Sequence, residues 1–258
     1  MPALAIRRLT LSHFRSYKLA RLETDGRPVA IFGPNGAGKT NILEAISMLS
    51  PGRGLRRAQI DEITRAPESL GWKVTAELQS LGQLHEVETA YTGSGSRSVL
   101  IDEKPAPQVA LGRLARIVWL VPVMDRLWVE GAEGRRRFLD RMAMSFFPAQ
   151  AEAALTYEKT MRERNRMLKD GITDPAWYDA VEAQMAEAGA EVEKNRLATL
   201  DRLEAAQGEG GSYFPAGDLF LCGADGAEVI LDRRELRGAF RDGRRRDMAA
   251  GRTLVGPH

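Results

Sequence analysis

A chain of 258 residues, 43% of them hydrophobic, is long enough for one large domain or two smaller ones with a buried core. The net charge is only +2, and the excess of arginine suits phosphate contacts, although a GC-rich genome produces the same bias. We find no apolar run that would cross a bilayer and no secretory signal, so we expect a cytoplasmic protein. Cys222 alone allows no intrachain disulfide, and the three histidines lack metal-ligand spacing.

The N-terminal elements surround a glycine-rich segment. Residues 3–17 have alternating apolar side chains and predict a strand, and residues 28–32 (PVAIF) predict a second strand. GPNGAGKT follows at 33–40. Residues 40–50 place apolar side chains three and four positions apart, so we expect an amphipathic helix, which Pro51 ends.

The segment GPNGAGKT fits G-x-x-x-x-G-K-[ST] at every fixed position and lies between a predicted strand and a predicted helix. Its glycines let backbone N–H groups turn toward an anion, and the helix N-terminus adds a positive partial charge. We expect Lys39 to reach the β- and γ-phosphates of a nucleotide and Thr40 to ligate Mg²⁺. The predicted nucleotide-binding residues are Gly33, Pro34, Asn35, Gly36, Ala37, Gly38, Lys39, Thr40 and Asn41.

The next part of the chain is rich in predicted strands. Residues 72–80 and 83–91 alternate apolar and polar side chains around Leu81-Gly82 and predict a hairpin. Residues 96–102 and 114–122 predict two further strands, the second ending at Pro122.

From about residue 135 to 207 the pattern is helical. Two helices are predicted to end at Pro148 and at Gly171. A third, long helix carries apolar residues near heptad spacing, and we interpret it as packed in a helical subdomain rather than as a coiled-coil arm. After it, residues 218–232 predict a hairpin around Asp225-Gly226, and the remaining residues predict a basic helix followed by a short strand.

Nucleotide hydrolysis requires an acidic residue at the end of an apolar strand. The nearest match is residues 229–232 (VILD), but this segment is short and Arg233 follows, so we interpret it as an ordinary hairpin strand. Segments that resemble LSGGQ occur at 49–53 and 92–98, and neither has the expected context. No catalytic residue is assigned.

Several longer motifs point to one family: LTLSHFRSY, GPNGAGKTNILEAISMLSPGRGLRR, VPVMDRL with EGRRRFLDRM, YEKTMRERNRMLK and TLVGPH. In this order, and over nearly the whole chain, they resemble the RecF family of SMC-like DNA-repair ATPases. The resemblance implies an α/β fold, a P-loop ABC-type ATPase head with a mixed sheet and an antiparallel β part, plus a helical second domain. We expect the head lobe at 1–122 and 212–258 and the helical domain at 123–211.

The resemblance also implies a function in DNA repair, recombination, replication and the SOS response. ATP, with Mg²⁺, is sandwiched between two subunits in such proteins and is hydrolysed slowly. The dimer grips DNA at gaps or single/double-strand junctions, together with RecR and RecO, for the loading of RecA. Residues 121–125 match the Q-loop-like segment, and Arg53, Arg56 and Arg57 match an arginine loop near DNA or nucleotide.

In this family the sequence continues beyond VGPH into an LSGGQ-like segment and a Walker B strand. We therefore expect this chain to be part of a longer protein, to bind ATP weakly, to hydrolyse it little and to dimerise poorly. A weak DNA-stimulated ATPase activity is expected only of the complete protein. The alternative is an unrelated P-loop small-molecule kinase or nucleotide-processing enzyme, which would act on a small acceptor without any effect of DNA.

Three clusters of cations are candidates for sequence-independent contacts with DNA phosphates. They are Arg53, Arg56 and Arg57; residues 135–137 with Arg141; and residues 244–246. For 135–137 and 244–246 we favour a solvated charged face with nearby acidic partners. We expect His13 and His85 to have no functional role, and Trp119 and Trp128 to lie in the core.

Overall fold

A computed structural model of the protein describes residues 4–209, 215–223, 226, 229 and 231–258. The chain divides into two compact units, one ending at Leu120 and the other beginning at Val121. Among the described residues, no helix is both long enough and apolar enough to cross a membrane.

The first unit is built on a six-stranded sheet in which every neighbouring pair of strands is antiparallel. The strand order is β2-β1-β3-β4-β5-β6. The strands are β1 Leu4–Phe14, β2 Tyr17–Glu23, β3 Trp72–Ser80, β4 Gln83–Tyr91, β5 Ser98–Ile101 and β6 Lys104–Pro105. The hairpin predicted at 72–80 and 83–91 and the strand predicted within 96–102 are confirmed.

One face of this sheet forms the core of the unit, because alternate residues of each strand point to the same side. Leu11, Val74 and Val87 are buried in it. Helix α1, Lys39–Ser47, contributes Ile42 and Ala45 to the same cluster, as the apolar spacing of residues 40–50 predicted.

The predicted strand at 3–17 is a strand only up to Phe14. His13 and Arg15 have positive φ angles of 49° and 53°, so the chain reverses and β2 begins at Tyr17. This tight turn brings Arg15 and Ser16 toward α1, to which both side chains are linked.

The strands predicted at 28–32 and 114–122 are wrong. The structure has no strand in either segment, and Val29, Phe32 and Leu120 are 60%, 92% and 77% exposed. Apolar β-forming residues become a strand only when another strand offers hydrogen-bond partners. Within the described residues, the six strands pair with each other, apart from an isolated bridge between Phe14 of β1 and Thr64. A short helix, α2 Leu111–Leu114, precedes the second segment.

The described residues of the second unit form four longer helices: α3 Ala132–Phe146, α4 Gln150–Lys169, α5 Pro175–Glu209 and α6 Arg233–Ala250. Their predicted helical character is confirmed. Tyr157 of α4, Met185 of α5 and Phe240 of α6 are buried in one cluster, so α5 is a packed helix and not a coiled-coil arm. A Cβ at Gly189 would lie 2.9 Å from Leu236, which shows how closely α5 and α6 approach.

The C-terminal residues differ from the prediction in three ways. Residues 212–258 were assigned to the head lobe, but α6 packs with the helical unit because Leu236 and Phe240 fill the space against α4 and α5. The predicted strand after α6 is absent from residues 251–258. Of the predicted hairpin at 218–232, the described residues contain no strand, and the Asp225 turn and Ile230 lie outside the described residues.

A buried polar network holds the TLVGPH segment on the helical unit. The guanidinium of Arg164 donates to Glu182 at 2.9 Å, to Asp247 at 2.7 Å and to the Thr253 hydroxyl at 2.9 Å. Asn165 Oδ1 accepts hydrogen bonds from the backbone N–H and the hydroxyl of Thr253, both at 2.7 Å. These contacts explain why the segment follows α6 without pairing with the sheet.

Candidate nucleotide-binding site

The GPNGAGKT loop has the backbone conformation that its glycines permit. Gly33, Gly36 and Gly38 have φ angles of 146°, 83° and 93°, which side-chain-bearing residues rarely adopt. Gly38 is the N-cap of α1, and its carbonyl accepts the N–H of Asn41 at 2.8 Å. The loop therefore ends at a helix N-terminus, where backbone N–H groups and the helix dipole favour an anion.

The Lys39 side chain spans this loop. Its Nζ donates to the carbonyl oxygens of Gly33 at 2.7 Å and Pro34 at 2.8 Å. The loop is also closed by a hydrogen bond from the Ala37 N–H to the Pro34 carbonyl at 3.3 Å. The ammonium group thus lies within the loop itself, which fits a phosphate group as the ligand.

The turn between β1 and β2 supports the loop. A Cβ on Gly38 would lie 2.7 Å from Tyr17 Oη and 3.0 Å from Ser16 Oγ, so only glycine fits there. Asn41 Nδ2 donates to Ser16 Oγ at 2.8 Å and fixes the first turn of α1 to the same turn of the sheet. Sequence reasoning had no signal for this contact.

Glu44 is a buried acceptor one helical turn beyond Thr40. It accepts hydrogen bonds from Arg15 Nε at 2.9 Å and Nη2 at 2.7 Å, and from Arg56 Nη1 at 2.9 Å. Arg56 Nη1 also donates to Asn41 Oδ1 at 2.8 Å. The structure therefore links Arg56, predicted to lie near DNA or nucleotide, directly to the first helix after the loop. Sequence reasoning missed Arg15 and Glu44, because the ion pair joins positions 29 residues apart.

The other two arginines of residues 53–57 do not hydrogen-bond to α1 through their side chains. Arg53 and Arg57 are exposed, and among the described residues neither side chain has a hydrogen bond or an ion pair. Arg57 has a positive φ of 55°. The structure thus connects Arg56 with the nucleotide loop and leaves Arg53 and Arg57 on the surface.

Arg97 binds carbonyl groups at and just beyond the C-terminal end of α1, a contact that sequence reasoning did not identify. Its guanidinium donates to the carbonyls of Met48 at 2.5 Å, Gly52 at 2.7 Å and Ser50 at 3.3 Å. Burial lowers the pKa of Arg97 to about 10, so the side chain is charged at neutral pH. A cation at the C-terminal end of a helix satisfies free carbonyls and interacts favourably with the dipole. Arg97 therefore connects the sheet to the segment that carries Arg53 and Arg56.

The remaining sequence candidates lie in the second unit. Arg135 donates to the carbonyls of Leu127 and Glu130, and its guanidinium lies over the ring of Trp128. Trp128 is exposed, so its predicted place in the core is wrong. Arg137 pairs with Glu133 at 2.9 Å.

Other polar residues have structural partners. Arg244 pairs with Asp179 at 2.7 Å and Glu182 at 2.6 Å, whereas Arg245 and Arg246 are exposed. Asp232, the Walker B look-alike, caps α6 by accepting the N–H groups of Arg234 and Glu235, so its interpretation as the end of a strand is wrong. In the part of the chain that the structure describes, no cluster of three His, Cys, Asp or Glu residues has metal-binding geometry.

Comparison with known proteins gives one consistent answer. Residues 5–114 match the family described as "RecF/RecN/SMC N terminal domain". The chain is 46% identical over 269 residues to the "DNA replication and repair protein RecF" of Brucella abortus (strain 2308), covering 98% of this chain and 69% of that protein. It is 43% identical over 278 residues to the protein of the same name in Caulobacter vibrioides, covering 100% of this chain and 72% of that protein.

The fold agrees with these relatives. It is similar to the solved "Structure of the recombination mediator protein RecF-ATP in RecFOR pathway", with a TM-score of 0.85 and 25% sequence identity, covering 99% of this chain and 71% of that chain. The predicted fold class, an α/β ATPase head with an antiparallel β part plus packed helices, is thereby confirmed. The predicted mixed sheet is not seen among the described residues, whose strands pair only in antiparallel fashion. From its sequence motifs, its relatives and its fold, this chain belongs to the family of the DNA replication and repair protein RecF.

Proposed function

We propose that this chain binds ATP with Mg²⁺ at residues 33–41 and that, in the complete protein, nucleotide binding controls a dimer that holds DNA during recombinational repair. The observation that carries the proposal is the loop of three positive-φ glycines closed by Lys39 at the N-terminus of α1. The name of the relatives, which concerns DNA replication and repair, and the similarity to a RecF–ATP structure support it.

Each part of the loop has a distinct role in this proposal. The backbone N–H groups of the loop and the first turn of α1 hold the phosphate oxygens, and Lys39 neutralises charge on the β- and γ-phosphates. Thr40 would hold Mg²⁺, and the ion, when bound, would supply neutralisation of phosphate charge. Asn41 keeps the first turn of α1 fixed to the β1–β2 turn through Ser16.

Arg56 provides a route from nucleotide to DNA. It shares Glu44 with Arg15 and contacts Asn41, whereas Arg53 and Arg57 of the same loop are exposed to solvent. A shift of α1 on nucleotide binding would therefore move the segment that carries three predicted DNA-contacting arginines. Such coupling requires that ATP bind one arrangement better than the other.

We also propose the cellular setting that the family resemblance implies. The complete protein acts in the cytoplasm at gaps or single/double-strand junctions, within the SOS response, as an ATP-dependent homodimer that works with RecR, RecO and RecA. The similarity to a structure described as a recombination mediator of the RecFOR pathway supports this setting.

The test compares Lys39→Ala with Lys18→Ala, an exposed lysine on β2 that removes the same charge outside the loop. Calorimetric titration with ATP and Mg²⁺ should show uptake by the wild type and Lys18→Ala and a strong loss in Lys39→Ala. Filter binding of duplex and gapped DNA to the complete protein, with and without ATP at two salt concentrations, should show ATP-dependent retention that Lys39→Ala lacks. Absence of ATP uptake by the folded wild type would refute nucleotide binding. Turnover of a small acceptor, with no effect of DNA, would instead favour the kinase alternative.

A further inference from the structure

Helix α6 carries a row of arginines on one side of its exposed surface. Arg234, Arg237, Arg241 and Arg245 are spaced by three, four and four residues, so they lie along one face of the helix. All four are exposed. We call these four residues the α6 arginine stripe. At a rise of about 1.5 Å per residue, the stripe is about 16 Å long.

The stripe differs from the other arginines of α6. Arg233 pairs with Glu187 at 2.8 Å, and Arg244 pairs with Asp179 and Glu182. Within the described residues, by contrast, the side chains of Arg234, Arg237 and Arg245 have no hydrogen bond or ion pair. Most of the stripe therefore has its charge available to an external partner.

The acidic residues nearby neutralise the stripe only in part. The pKa of Asp232 is lowered first by the hydrogen bonds that it accepts from the backbone N–H groups of Glu235 and Arg234, and further by the charge of Arg234. Asp247 is buried on the opposite face, bound to Arg164. Asp242 lies 3.4 Å from Arg241, and both side chains are largely exposed, so this pair is weak. On α5, the pKa of Asp179 is lowered first by its hydrogen bond with Arg244, then by the charge of Arg244, and less by the charges of Arg237 and Arg241. Its carboxylate is thus already held by Arg244.

The stripe is mounted on a rigid support. Leu236 and Phe240 of the opposite face of α6 are buried against α4 and α5, and Arg244 ties α6 to α5. The fixed helix sets the positions from which the arginines extend. The planar guanidinium fork is pre-organised, so less side-chain entropy is lost per hydrogen bond, and it suits phosphate oxygens.

From this geometry we infer that the α6 arginine stripe is a contact surface for the phosphate backbone of duplex DNA. The inference rests on the proposed function, and it assigns part of the DNA contact to the helical unit rather than to the arginine loop at residues 53–57. Each strand of a duplex presents a charge about every 3.4 Å along the axis, so a stripe of about 16 Å spans several phosphates. Contacts of this kind hold DNA without reading its sequence.

The experiment uses two triple variants of the full chain that remove equal charge. In the stripe variant, Arg234, Arg237 and Arg245 are replaced by glutamine. In the control variant, three exposed cations of α4 and α5 are replaced by glutamine; they are Arg162, Arg166 and Lys194. Because the net charge falls equally, non-specific attraction is matched. Duplex DNA binding is measured across a salt series, together with ATP uptake and urea unfolding.

For the stripe variant we expect binding at least about tenfold weaker at moderate salt, and a log–log salt slope smaller by about 2.7, that is, about 0.9 for each of three phosphate contacts. For the control variant the log–log salt slope should decrease by less than about 0.9, the value for one phosphate contact. ATP uptake should be unchanged in both, because the nucleotide loop belongs to the other unit.

A third variant, Arg234→Lys with Arg237→Lys and Arg245→Lys, keeps the charge but loses the guanidinium forks, so its binding should lie between those of the wild type and the stripe variant. A urea midpoint of the stripe variant equal to that of the control variant excludes a folding defect as the cause. Equal slopes for stripe and control variants would overturn the inference while leaving the proposed function intact. A wild-type chain that takes up ATP but shows no salt-dependent DNA binding would overturn both the stripe and the proposed DNA-binding role.

Discussion

Replacement of Arg164 by methionine should destabilise the helical unit strongly. The side chain is fully buried and bridges Glu182 and Asp247, which are buried as well. Glu182 keeps a second cation, Arg244 at 2.6 Å, whereas Asp247 loses the only cation that contacts it among the described residues. Removal of one partner from a buried ion pair costs about 3–5 kcal/mol. Because the Glu182–Arg244 pair remains, we expect a loss at the lower end of this range, about 3 kcal/mol.

This loss is measurable by equilibrium urea unfolding. A decrease of about 3 kcal/mol lowers the folded-to-unfolded ratio more than about a hundredfold, and with a slope near 2 kcal/mol per molar the midpoint falls by about 1.5 M urea. Far-ultraviolet circular dichroism follows mainly the helices α3 to α6. The matched control is Arg166→Met, which removes an exposed arginine from the same helix and should change stability by no more than about 0.5 kcal/mol.

A second variant separates lost charge pairing from lost packing. Adding Asp247→Asn to Arg164→Met removes the unpaired buried charge, so the double variant should recover part of the stability. A midpoint for Arg164→Met equal to that of Arg166→Met would refute the reasoning. So would a double variant in which the two single losses simply add.

Two further predictions concern stability. Arg97→Met leaves carbonyls at the end of α1 without hydrogen-bond donors and should lower the free energy of unfolding by about 2–4 kcal/mol. Thermal unfolding measures this loss, and Arg97→Lys should be intermediate. A wild-type melting temperature for Arg97→Met would contradict this role of Arg97. Burial lowers the pKa of His258 despite its hydrogen bond with the Thr253 carbonyl. The contribution of neutral His258 to the free energy of unfolding is therefore fully present above the ordinary histidine pKa of about 6.5. It is lost as the pH falls through the lowered pKa of the folded state. The wild type should lose more stability than His258→Gln between about pH 7.5 and 5.5, and parallel losses would argue against it.

The elements that sequence reasoning identified are those with local signals. The hairpin of β3 and β4 follows from alternating side chains on either side of Leu81-Gly82, and α1 follows from its apolar spacing. The nucleotide loop is recognised because its glycines and Lys39 are consecutive in sequence. In each of these features, the residues that carry the signal are close in the sequence, within one or two helical turns or in consecutive strands.

The segments at 28–32 and 114–122 show where local signals fail. Both have apolar, β-forming residues, yet neither is a strand, because a strand requires a partner at hydrogen-bonding distance. The strand predicted after α6 also does not form, because residues 251–258 hydrogen-bond to Arg164 and Asn165 rather than to another strand. The place of α6 could likewise not be predicted, since it depends on the groove that α4 and α5 form.

The amino-acid sequence by itself determined the phosphate-binding loop, the family and most helices, because those features depend on neighbouring residues. Only the tertiary structure decided which charges are available. It buried Glu44 between Arg15 and Arg56, placed Arg97 at the end of α1, and left the α6 arginine stripe largely unpaired. The physical reason is that an ion pair depends on distances in space, and the two arginines that bind Glu44 lie 12 and 29 residues from it in the chain.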